Sequence, residues 1–78
     1  MGKPHIRKVT HFSKQLQRFR EQMNLTQRET ARRAHMSMYR YQTLERGDEL
    51  PTDKERRQLA YVFNVSLDFF FSYFYLRS

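Results

Sequence analysis

The chain has no cysteine, so its 78 residues hold no disulfide or thiolate-metal staple, and a reducing compartment suits them. Glycine occurs only at Gly2 and Gly47, which excludes a glycine-rich phosphate loop. Long apolar runs are missing too. The longest apolar-aromatic stretch is interrupted by Ser72 and falls far short of the ~20 residues that span a bilayer. No leader pattern opens the chain, and Ile6 stands where a myristoylation motif needs Ser or Thr. The expectation is a soluble, cytoplasmic protein without a membrane partner. His5, His11 and His35 are too scattered for a metal site, and no Ser-His-Asp, Cys-His or paired-carboxylate set is recognisable. We therefore expect no enzyme, no catalytic residue, no metal and no cofactor.

What is present is positive charge. Fifteen Lys and Arg face eight Asp and Glu, leaving a net charge of +7, and most of the cations are Arg. On so small a body that surplus favours a polyanion, either nucleic acid or an acidic surface.

Residues 1–11, MGKPHIRKVTH, are basic, contain Pro4 and show no sustained periodicity, which predicts a flexible arm. Apolar residues then fall at Phe12, Leu16, Phe19 and Met23, the stripe of an amphipathic helix, with Ser13 as its cap and Asn24 as its stop. Thr26 and Glu29 form a capping box for a helix from Gln27 to about Ala34, where Ala31 and Ala34 allow a close neighbour. Ser37 caps a third helix that Gly47 ends. Thr52 and Glu55 form a second capping box, for a helix that turns Leu59, Ala60 and Phe63 inward and stops at Asn64. Ser66 opens a fifth helix. Five helices and no strand hairpin predict a compact all-α domain over 12–78.

The stretch LTQRETARRAHMSMYRYQTLERG resembles the helix-turn-helix of the phage repressor and Cro (Xre) family. Leu25, Thr26, Gln27, Ala31, Met36, Ser37, Glu45, Arg46, Gly47 and Pro51 carry the likeness, and NVSLDFFF is similar to the opening of that family's last helix. It covers residues 12–71 and implies a lambda-repressor-like DNA-binding domain. The chain departs from the pattern at several positions. His35 replaces the turn glycine, Thr30 and Tyr41 replace apolar residues, and Asp53 and Arg56 are polar where the fourth helix is usually apolar. A left-handed His35 costs about 1 kcal/mol relative to glycine; the alternative is a reshaped turn.

The resemblance implies that the third helix enters the major groove of double-stranded DNA, with Met38, Tyr39, Arg40, Gln42 and Thr43 as base-contact candidates. Arg40 suits guanine O6 and N7, Gln42 suits adenine N6 and N7, and Met38 or the Thr43 methyl suits a thymine methyl. Thr26, Gln27, Arg28, Ser37, Arg46 and Lys54 are phosphate candidates. Arg20 and Glu45 are similar to a structural salt bridge of the family.

The chain ends in FFFSYFYLRS. On a helix starting near Leu67, Leu67, Phe70, Phe71 and Phe74 fall on a core face, which leaves Phe69, Tyr73, Tyr75 and Leu76 for a dimer interface. The expected function is a sequence-specific transcriptional regulator, a repressor binding a palindromic operator as a homodimer. The alternatives are an antitoxin that also autoregulates its operon, with a toxin or antirepressor as protein partner, and a module that binds only protein.

Overall fold

The computed structural model describes residues 4–65, with side chains from Phe12 onward. Four helices follow in order: α1 over Pro4–Gln22, α2 over Gln27–Arg33, α3 over Met38–Arg46 and α4 over Asp53–Phe63, and no strand occurs among the described residues. The helix expected from Ser66 lies outside them, as do Phe69, Tyr73, Tyr75 and Leu76.

Local chemistry sets most of the helix boundaries. Thr26 and Thr52 each accept a hydrogen bond from the backbone N–H three residues on, while Glu29 and Glu55 reach back to the cap N–H, completing two capping boxes. Ser37 caps α3 by accepting from Arg40 N at 3.0 Å. The four C-termini share one device. Asn24, His35, Gly47 and Asn64 all take left-handed backbone, with φ of 56°, 59°, 84° and 57°. The N–H of the residue after each of them reaches five residues back: Leu25 to Arg20, Met36 to Ala31, Asp48 to Thr43 and Val65 to Ala60, all at 3.0–3.1 Å. This is the Schellman geometry, and its usual apolar contact is supplied by Leu25, Met36 and Val65, which sit in or against the core.

Three expectations for the first helix are corrected. Helix α1 begins at Pro4 rather than Phe12, so the segment expected as an arm is helical from Pro4 onward. Proline at the first helical position lacks only an N–H that would have no partner there, and neither glycine nor proline follows before the left-handed stop. Ser13 consequently lies inside α1, buried rather than capping. Met23, expected on the apolar stripe, lies beyond the last helical residue and is 40 % exposed.

The core is built from Phe12 and Leu16 of α1, Ala31 and Ala34 near the end of α2, Tyr41 and Leu44 of α3, and Leu59, Ala60, Val62 and Phe63 of α4. Phe19 stacks on Phe63 with ring centroids 5.3 Å apart. The polar departures are accommodated. Thr30 is fully buried and donates its hydroxyl to Thr26 O at 2.9 Å, so no polar atom is stranded in the apolar slot. Arg56 is buried and pairs with Asp53 one turn earlier. Helix α3 packs against both α1 and α2, which fixes the direction in which its outer face points.

Candidate nucleic-acid interface

Helix α3 is held by one buried carboxylate. Glu45 is 4 % exposed. Its Oε2 accepts from Arg20 Nε at 2.7 Å and from the Tyr41 hydroxyl at 2.5 Å, and its Oε1 accepts from Gln27 Nε2 at 2.7 Å and Arg20 Nη2 at 3.2 Å. Arg20 also donates to Leu25 O at 3.1 Å. Residues from α1, α2 and α3 thus converge on a single anion, whose burial is offset by four charge-assisted or polar hydrogen bonds. The hydrogen bond to Glu45 raises the Arg20 pKa above its ordinary value. Burial, followed by that same carboxylate, pushes the Tyr41 phenol well above the usual tyrosine range. The Arg20–Glu45 bridge implied by the resemblance is present. The Tyr41 and Gln27 contributions were not foreseen, and an oxygen-bearing ring at a position otherwise apolar was the signal for the first.

The network extends outward through Gln42, whose amide donates to Gln27 Oε1 at 3.2 Å. Gln27 was expected to offer its amide to a phosphate. Instead that amide is committed between Glu45 and Gln42, and only its backbone N–H remains at the head of α2. Thr26, another phosphate candidate, has its hydroxyl occupied by the capping box with Glu29.

A second cluster reorients Arg40. Its Nε and Nη2 meet Glu55 Oε2 and Oε1 at 2.8 and 2.9 Å, Nη2 also donates to Leu50 O at 3.3 Å, and Nη1 pairs with Glu49. Arg40, expected to reach a guanine, has its planar fork on the carboxylates that tie α3 to the following loop and to the head of α4. Glu55 accordingly has its pKa held below the usual carboxylate value, first by Arg40 and then by the Thr52 backbone N–H. Thr43 is also turned inward: it is buried and donates to Tyr39 O at 3.0 Å. The pairing of Glu49 and Glu55 with Arg40 escaped the sequence reading because they meet it only across a folded loop.

On the outer face of α3, Tyr39 is 76 % exposed, and Met38 and Gln42 are half-buried. Met38 shares an open concavity with Arg20, Thr26, Gln27 and Arg28 at the head of α2. Arg28, Ser37 and Lys54 are exposed, and Arg46 pairs with Asp48 at 2.8 Å, with both side chains about half in solvent. An exposed pair of this kind is worth at most ~1 kcal/mol, so Arg46 can exchange Asp48 for a phosphate at little cost. Among the described residues no helix is long and apolar enough to cross a membrane.

Two short helices meeting at a left-handed turn, the second buttressed from behind and bare of acid in front, define a helix-turn-helix. Residues 11–68 match the family model described as a helix-turn-helix domain, and the chain belongs to that DNA-binding family. No curated protein and no solved structure matches it.

Proposed function

We propose that the chain is a sequence-specific transcriptional regulator of the phage repressor and Cro (Xre) type, which represses by occupying a palindromic operator in double-stranded DNA as a homodimer. One observation carries this reading. The only acidic residue of α3, Glu45, is turned inside, so the face led by Tyr39 offers a groove between two phosphate rows no negative charge. Met38, Tyr39 and Gln42 are the base-reading set. Met38 packs on a thymine methyl, and Gln42, steadied by Gln27, presents the rest of its amide to adenine. Arg28, Ser37, Arg46, Lys54 and the backbone N–H of Gln27 hold phosphates and set the register.

A single helix reads too few base pairs to find one site in a genome, which favours two copies on half-sites about one helical turn apart. Phe69, Tyr73, Tyr75 and Leu76 are the proposed contact between the copies. Selection of bound duplexes from a random pool tests the whole reading, because a palindromic consensus is expected. Affinity should also fall steeply with salt, with a log–log slope near ~5 if six phosphates are neutralised. A flat salt response with no enriched sequence would overturn the proposal.

A further inference from the structure

A second concavity lies at the opposite end of α2. Arg32, Arg33 and His35 line it from the end of α2 and its turn, and Tyr61, Val62 and Asn64 line it from the end of α4. It shares no residue with the concavity that contains Met38 and Arg28. Among the described residues no Asp or Glu lines it. Arg32 and Arg33 are exposed and take part in none of the ion pairs that engage Arg20, Arg40, Arg46 and Arg56 among the described residues. Both help to hold the Glu29 carboxylate below its usual pKa, but Glu29 spends its hydrogen bonds on the Thr26 capping box.

The other half of the groove sets the Tyr61 ring beside the Asn64 amide, with Val62 beneath. Tyr61 is 85 % exposed, while its neighbour Val62 is buried in the core and forms part of the groove lining. Arginine and tyrosine beside an aliphatic residue such as Val62 are the residues that dominate protein interfaces, and a basic rim with no ion pair among the described residues selects a partner of opposite charge. Duplex DNA satisfies only half of this surface, since its phosphate edge could meet Arg32 and Arg33 but has no apolar group for Tyr61 and Val62. We infer that this groove is a protein-docking site for an acidic segment in which carboxylates flank an aliphatic or aromatic side chain. The carboxylates meet Arg32 and Arg33, and the apolar side chain lies along Tyr61 over Val62. Such a partner approaches from the end of α2 away from Met38, so docking leaves the proposed base-reading face open.

The test is a titration of the isotope-labelled full chain, followed by amide resonances. One probe is a synthetic peptide with a central Leu-Phe flanked on both sides by Glu, a second is its Gln-for-Glu counterpart, and a third is a random-sequence DNA duplex. The acidic peptide should shift Arg32, Arg33, His35, Tyr61 and Asn64 while leaving Met38 and Tyr39 unmoved. The Gln counterpart should bind about tenfold more weakly, the combined loss of two ion pairs. Tyr61→Ala removes an exposed ring without touching the core, and should weaken the peptide several-fold while leaving duplex affinity unchanged. The inference is overturned if millimolar acidic peptide shifts nothing or the Gln counterpart binds as well. It is equally overturned if shifts spread evenly over Arg28, Lys54 and Arg57, or if the duplex perturbs the groove as the peptide does.

Discussion

Arg40 and Glu55 meet through two parallel hydrogen bonds of 2.8 and 2.9 Å, joining α3 to the first turn of α4. Glu55 serves two masters, since Oε1 also accepts the Thr52 N–H at 2.9 Å. Removing the guanidinium should therefore loosen α3 against α4 without deleting a base contact. Arg40→Ala is expected to destabilise the fold by about 1–2 kcal/mol, a melting shift of roughly 4–8 °C per kcal/mol in a domain of this size. DNA affinity should fall by a similar factor for every sequence. A changed base preference at one operator position, read by competition among point-variant duplexes, would restore Arg40 as a reader.

The Glu45 hub makes a graded prediction. Tyr41→Phe keeps the ring that fills the core and removes one of the donors to the carboxylate, which should cost about 1.5 kcal/mol. Arg20→Ala leaves the buried carboxylate without its counter-charge and should cost about 3–5 kcal/mol. Chemical denaturation of the two variants gives the comparison. Equal effects would show that Gln27 and water replace the guanidinium.

Acid stability follows from Glu55 and Glu29. Both carboxyls are held below their ordinary pKa of 4.5, Glu55 first by Arg40 and Glu29 first by the Thr26 backbone. A group depressed in the folded state contributes stability that is complete above its unfolded pKa and is lost as pH falls through the folded one. The domain should thus lose stability progressively below about pH 4.5. Glu55→Gln should be less stable than the parent at neutral pH and lose less on acidification, so that thermal melts of the two converge at low pH.

Much of this scaffold was legible because capping is local. Thr26, Ser37 and Thr52 as caps, and Asn24, Gly47 and Asn64 as stops, act through side chains and backbone within a few residues, and the structure has each in that role. Pro4 was misread because proline breaks a helix everywhere except its first turn. Arg20 and Glu45 were legible only by family likeness, since their 25-residue separation carries no periodic signal. The roles of Arg40 and Thr43 were hidden for the same reason: whether a polar residue on α3 faces outward depends on where the loop to α4 brings Glu49 and Glu55.

His35 settles the last open alternative, and it supplies a stabilising substitution. The turn keeps the left-handed geometry, with φ 59°, and the Met36 N–H closes on Ala31 O at 3.0 Å, so the side chain is carried at a conformational cost instead of the turn being reshaped. For an L-residue that cost is about 1–2 kcal/mol, and replacing it with glycine returns roughly 0.5–1 kcal/mol through greater freedom of the unfolded chain. His35→Gly should therefore stabilise the domain by about 0.5–1 kcal/mol in urea unfolding and leave the angle between α2 and α3 unchanged. Because His35 is exposed and outside the core, no packing loss offsets the gain. A destabilised His35→Gly variant would mean that the imidazole holds a contact worth more than the strain it imposes.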